Sequence, residues 1–361
     1  MRKPHVLLIP FPAQGHVIPL MELALNLAKH GFKVTFVNTE FIHERVINAL
    51  PGTENVQELI QMVSLPDGLE SSDNRSEIRK AVGSPFWTLC QLSGLLPRHY
   101  WHCLFKIPSL IDDGIIDSDG KPMKNQKIQL SPTMPVMKTM DLYWSCINDE
   151  LTRKHFFKHT APLLASNRLG KSTGYFWRED SGCLAWLDQQ PPDSVIYVAF
   201  GSITVFDHNQ FQELALGLEL TDRPFLWVVR QNITEDVDNA YPTDFEERVQ
   251  HRGRMVSWAP QQKVLSHPSV ACFISHCGWN STIEGISNGI PFLCWPYFTD
   301  QIFNKSYICD YLKIGLELNK DDNGIIRCGE IKNKLERVLG DEGLKERVLD
   351  LQAKILSGVR E

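Results

Sequence analysis

Six short apolar runs in the second half of the chain, most of them followed by a segment with helical spacing, constrain the fold more than any other feature. They lie at 194–200 (SVIYVAF), 224–230 (PFLWVVR), 254–258, 270–275 (VACFIS), 291–295 (PFLCW) and 314–318. Strands that are apolar on both faces belong to parallel sheets whose crossover helices cover both sides. The clearest helices between the runs are 210–220 and 280–288. The pattern predicts a complete doubly wound α/β domain, and in such sheets ligands bind at the C-terminal edge of the strands.

The first half opens in the same way and then loses the pattern. A buried strand at 5–10 (HVLLIP) leads through a loop at 11–16 (FPAQGH) into a helix at 17–30. That helix carries Leu20, Leu23, Ala24 and Leu27 on one face, and Gly31 is placed to cap its C-terminus. A second strand follows at 33–38 (KVTFVN) and a third at 59–64 (LIQMVS), so a parallel sheet is the default. The first loop has no GxGxxG and offers a histidine at the strand edge instead of a dinucleotide cradle. Between 65 and 194 no further run reads as a central strand, and 84–106 is interrupted by Pro85, Gly94 and Pro97. The acidic stretch 112–120 (DDGIIDSDG) fails as a calcium loop, because aligning Gly120 with the loop glycine puts Ile115 and Gln126 at ligand positions. Glycines and prolines across 166–193 mark a linker with a short helical piece at 183–189. The expected organisation is a first Rossmann-like domain at 1–165, the linker at 166–193 and a second Rossmann-like domain at 194–361. At roughly 30 residues per βαβ unit a matching first domain needs about 180 residues and five or six strands. It offers three, so the first domain is expected to be shortened.

Composition removes several classes of function. A net charge of −6 with scattered basic residues gives no footprint for nucleic acid. The nine cysteines form no CxxC pair and no zinc-spaced array, and several sit inside apolar runs, which points to a reducing, cytoplasmic compartment and no metal site. The apolar run after Arg2 and Lys3 is cut by two prolines and by Gln14-Gly15-His16, so it reads as a core strand and not a signal peptide. No run approaches the ~18 residues of a membrane span.

The chemistry concentrates in 258–301. His276-Cys277-Gly278-Trp279-Asn280-Ser281 joins a strand to a helix, with Asn280 or Ser281 as candidate cap and Glu284 one turn on. A helix start beside a cation-capable histidine, a hydroxyl and an amide suits phosphate. Trp258, just past a strand, offers a face to a base, Gln261 can bond the base edge or ribose, and Glu284 can accept from ribose hydroxyls. Asp300 and Gln301 suit paired sugar hydroxyls. Taken singly, Trp258 and Trp279 are ordinary core residues, His276 a satisfied buried histidine, and Asp300 a helix cap. Taken together, partners for base, ribose, diphosphate and sugar follow one another in order.

From Trp258 to Gln301 the segment resembles, without a gap, the signature box of the plant UDP-dependent glycosyltransferases that act on secondary metabolites. The resemblance extends to FPAQGH at 11–16, SVIYVAFGS at 194–202 and LWVVR at 226–230. It implies the GT-B architecture, with two Rossmann-like domains facing across a cleft, the sugar donor held by the second and a small-molecule acceptor by the first. It implies Trp258 as uracil stacker, Ala259 bonding through its backbone, Gln261 on uridine and Glu284 on ribose. His276, Asn280, Ser281 and Ser202 would bind the diphosphate, with Trp279 shaping the pocket. Asp300 and Gln301 would bind the sugar, Thr299 would border the acceptor, and a closing Gln is similar to members that prefer glucose. His16 would be the general base of an inverting transfer, since imidazole titrates near neutrality. The co-substrate is then UDP-glucose, no cofactor or metal is needed, and a cytoplasmic monomer without integral membrane segment is expected.

The chain departs from the family in the first half. The V-x-A-D pattern whose aspartate orients the base histidine is absent, as is the C-N-S stretch expected between Phe157 and Ala165. The C-terminal segment that closes back on the first domain is also not found before Glu361. In the serine protease triad, replacing the orienting carboxylate lowers the rate by ~10⁴. The rival expectation is therefore a UDP-sugar-binding protein, or a shortened product, that has lost turnover.

Overall fold

A computed structural model describes residues 4–10, 14–49, 60–66, 113–115, 123–129, 136–139, 179–180, 182–237, 240–297 and 300–358. These separate into two compact units, one reaching Thr139 and one starting at Glu179. The first contains β1 (His5–Leu8), α1 (Gln14–Lys29), β2 (Lys33–Thr39), α2 (Glu40–Ala49) and β3 (Ile60–Leu65). Its strands run parallel in the order β1-β2-β3. Val17, Met21 and Ala24 form the buried face of α1 and pack on Val34, Phe36, Ile42 and Val46. Gly31, at φ +86°, ends α1 as its sequence position predicts. The Gly31 N–H reaches the Ala28 carbonyl at 3.0 Å and the Phe32 N–H the Leu27 carbonyl at 3.1 Å, a Schellman closure. One expectation changes: α1 begins at Gln14, so His16 lies in its first turn and not in the preceding loop. Two short strands, β4 (Lys127–Ile128) and β5 (Met137–Lys138), pair antiparallel. The stretches 84–106 and 157–165 lie outside the described residues.

The second unit contains α3 (Gly182–Leu187), β6 (Val195–Ala199), α4 (His208–Leu220), β7 (Phe225–Val228), α5 (Phe245–Val249) and β8 (Gly253–Val256). It continues with α6 (Gln261–Leu265), β9 (Val270–Ser275), α7 (Trp279–Ser287), β10 (Phe292–Cys294) and α8 (Asp300–Ser306). A π-helical turn, Tyr307–Tyr311, then leads to β11 (Gly315–Glu317), α9 (Cys328–Gly340) and α10 (Glu342–Gly358). All six expected strands are present and parallel, in the order β11-β10-β9-β6-β7-β8. The sequential order therefore reverses between β6 and β9, and this is the switch point of a doubly wound sheet.

Alternation along β6 explains the two buried faces. Ile196 and Val198 point to the side covered by α4 and α9, where they meet Phe211, Leu214, Ile331 and Leu335. Val195, Tyr197 and Ala199 point to the other side, with Val264, Phe273, Ile286 and Val348. The compact unit starts before the expected boundary at 194. Cys183 and Leu187 of α3 are buried in this second core, and the Asp180 N–H donates to the Trp258 carbonyl at 2.9 Å. Apolar burial thus draws the end of the expected linker into the domain. Among the described residues no helix is long and apolar enough to cross a membrane.

Candidate functional site

At the switch point, the turn leaving β6 (Gly201, Ser202) and the turn leaving β9 (His276, Cys277, Gly278) emerge side by side, because β6 and β9 pair up to Ala199 and Ser275. The His276 ring fills the gap between them. A Cβ on Gly201 or on Gly278 would stand 2.5 Å from its Nε2, so both turns need glycine, and Gly201 also takes φ +63°. Cys277 is held at φ +62°, a left-handed conformation uncommon for a residue with a side chain. The floor is aromatic: Phe200, Phe206 and Trp295 meet edge to face at 4.7–5.5 Å.

His276 is not the cation that its sequence position invites. Burial, the positive charge of Arg230 and only weak opposition from the Ala199 carbonyl push its pKa down to about 4. Its Nδ1 is enclosed without a hydrogen-bond partner. At neutral pH the His276 imidazole is therefore uncharged. The charge itself sits deeper, on Arg230, which is 1% exposed just beyond the end of β7.

The start of α7 differs from expectation as well. Its N-cap is Gly278, without any side-chain cap, and Asn280 and Ser281 lie inside the first turn, so neither is the cap. The Ser281 hydroxyl is instead engaged by Gln261, whose Nε2 donates to it at 2.9 Å and to Glu284 Oε2 at 2.7 Å. Gln262 donates to the other Glu284 oxygen at 3.2 Å, and the Tyr197 hydroxyl donates to Gln261 Oε1 at 3.3 Å. The fold thus gathers Gln261, Ser281 and Glu284 into one polar cluster beside the switch point. Trp258, in the same β8–α6 connection, is partly buried against the core and Ala259 is buried within it. Trp279 is the half-buried first residue of α7.

Asp300 and Gln301 open α8. The amide of Asn304, 1% exposed, donates from Nδ2 to Asp300 Oδ2 and to the Cys277 carbonyl, both at 2.9 Å. This ties the carboxylate expected on the sugar to the turn expected on the diphosphate. Gln301 is buried, and its Oε1 accepts from the Tyr297 N–H at 2.9 Å. Thr299 lies outside the described residues, as does the side chain of His16.

Four contributors were not singled out from the sequence: Tyr197, Arg230, Gln262 and Asn304. Only Arg230 left a signal, a charge closing the otherwise apolar run FLWVVR.

Known proteins are similar to this chain in sequence and in fold. The sequence profile described as UDP-glucoronosyl and UDP-glucosyl transferase matches residues 154–355. UDP-glycosyltransferase 83A1 of Arabidopsis thaliana is 36% identical, over 99% of this chain and 94% of that protein. Linamarin synthase 1 of Manihot esculenta is 31% identical, over 96% of this chain and 92% of that protein. Among solved structures, Phytolacca americana UGT2 complexed with UDP-2fluoro-glucose and pterostilbene matches with TM-score 0.71 at 25% identity, over 98% of this chain and 94% of that one. The alignment to UDP-glycosyltransferase 83A1 runs over 447 residues against 361 in this chain, so stretches of that relative have no counterpart here.

Proposed function

The chain belongs to the family of UDP-glucoronosyl and UDP-glucosyl transferases, and on that premise we propose that it moves glucose from UDP-glucose to a hydroxyl of a small apolar or phenolic acceptor, inverting the anomeric carbon. Its fold is the GT-B architecture of the plant members, and its relatives are UDP-dependent glycosyltransferases. The observation that carries the reading is the switch point itself, with the glycine-lined His276, the uncapped start of α7 and the Gln261–Ser281–Glu284 cluster side by side.

In the proposed reaction the acceptor hydroxyl gives its proton to the His16 imidazole. Its oxygen forms a bond to the anomeric carbon from the face opposite the nucleotide. The bond from that carbon to the β-phosphate oxygen breaks, and its electron pair leaves with UDP. Ser202, Asn280 and the backbone N–H groups at the start of α7 hold the departing diphosphate, with His276 as a neutral donor. Trp258, Ala259 and Gln261 take the uridine, Trp279 shapes the pocket and Glu284 takes the ribose. Asp300 and Gln301 take the sugar hydroxyls, and Thr299 borders the acceptor. Stabilisation of the leaving group by these donors makes the proposed transfer metal-independent, and the working form is a cytoplasmic monomer.

A second reading, a UDP-sugar-binding protein without turnover, is favoured by the stretches of the 447-residue alignment that this chain lacks and by the missing V-x-A-D aspartate. A product assay with UDP-glucose and a panel of phenols and alcohols separates the two. The wild type is expected to form glucoside and His16→Ala to lose ~10²-fold or more in rate, the scale of general base catalysis. Equal rates in both remove His16 from the mechanism. Saturable UDP binding without product selects the second reading.

A further inference from the structure

Arg230 is the one strongly buried guanidinium of the second unit among the described residues whose hydrogen-bond partners are all neutral oxygens. Its Nη1 donates to Asn232 Oδ1 at 2.6 Å and its Nη2 to the Thr204 carbonyl. No carboxylate among the described residues pairs with it. Lys305, the other buried basic side chain of this unit, does have one, Glu317 Oε2 at 3.0 Å. Burial draws the Arg230 pKa down only to about 10, so the group stays charged at neutral pH. A buried charge without a counter-charge is unfavourable, and folds normally pair it or avoid it.

Its position supplies the counter-charge. β6 and β7 pair up to Val198 and Trp227, so Arg230 stands at the same sheet edge as the 201–206 turn. The Ile233 carbonyl accepts from the Phe206 N–H at 2.7 Å, and the Ile233 N–H donates to the Arg230 carbonyl at 3.0 Å. The guanidinium thus clamps the turn that carries Gly201 and Ser202, and its charge reaches the His276 ring packed against Gly201.

We propose that Arg230 is a positioning residue for the donor: through the Thr204 carbonyl it fixes the turn bearing Ser202, and across His276 it supplies the positive charge whose counter-ion is the nucleotide diphosphate. This rests on the nucleotide-sugar reading of the switch point and adds the source of its electrostatics. A charge acting without contact favours the diphosphate over the uncharged part of the ligand.

The test is calorimetric titration of the full chain with UDP and with uridine. The variants are Arg230→Gln, which keeps amide donors but no charge, and Arg230→Lys, which keeps the charge. Arg230→Gln is expected to weaken UDP ~10-fold or more and uridine no more than ~2-fold, and to raise KM for UDP-glucose more than it lowers kcat. Arg230→Lys is expected to hold the ratio of UDP to uridine affinity within ~3-fold of wild type. Equal loss of both ligands in Arg230→Gln, or no loss of either, overturns the proposal and leaves a packing role. If Arg230→Gln does not fold, the lysine variant decides alone, since collapse of its ratio contradicts a role for the charge. A wild type that binds neither ligand instead removes the nucleotide reading on which the proposal stands.

Discussion

The His276 imidazole is wedged between two glycines beside a buried guanidinium, and its environment rather than its residue type sets its charge. In the unfolded chain a histidine titrates near 6.5, whereas in this fold the value is about 4. Between those values the unfolded chain binds the proton and the folded chain does not. Stability should therefore fall as pH drops from about 6.5 to about 4, by up to ~3 kcal/mol from this group, and gain no further slope from it below. Urea unfolding of wild type and His276→Gln across pH 4–8 checks this. The difference between them should change through that window and be constant above it, and parallel curves throughout would contradict the burial described here. At this scale the sequence was enough to propose side chains for the site in 258–301, because their types and order are local information. It could not disclose the neutral state of His276, which depends on burial in the fold and on Arg230 just past another strand. Nor could it disclose Tyr197 under Gln261 or Asn304 between Asp300 and Cys277, since these contacts join elements distant in sequence that meet only in the fold.

Helix ends were the least legible elements, and the physical reason is capping. α7 was expected to start at a polar cap, but it starts at Trp279 after an uncapped glycine whose missing side chain makes room for His276. α1 extends back through His16, and neither Gly15 in its first turn nor Pro19 further along interrupts it. α4 begins two residues before its apolar periodicity, where the Asp207 side chain accepts the Gln210 N–H at 2.9 Å. The docking of α4 on α9 also depends on a contact between distant residues. Glu213 accepts from the Cys328 N–H at 2.7 Å and from Arg327 at 3.0 Å. Partial burial raises the Glu213 pKa, but those hydrogen bonds outweigh it and hold the carboxyl below its ordinary 4.5. Its stabilisation is therefore fully present above about pH 4.5 and is lost as pH falls through the lower folded value. Glu213→Gln should cost ~1–2 kcal/mol at pH 7 in chemical unfolding, with the gap to wild type closing as pH falls below 4.5 through the lowered folded value. A gap that persists at low pH would show that the charge is not what joins the helices.

At the scale of the molecule, the two halves of the sequence were unequally informative because parallel strands buried on both faces announce themselves. The second half has six such runs and folds into six parallel strands, and α3, expected as a short helical piece at 183–189, joins their core. The first half offered three, and three parallel strands are found among its described residues. The domain with the clearer pattern is also the one that holds the proposed donor site, so the central claim concerns that site and does not wait on the acceptor. Isothermal titration of the full chain with UDP tests it most directly, with Glu284→Ala as control. One saturable site in the wild type, weakened ~10-fold or more when the ribose carboxylate is removed, is the expected result. Absence of saturable heat, or equal affinity in both proteins, would contradict the assignment of the β6–β9 switch point as a nucleotide-sugar site.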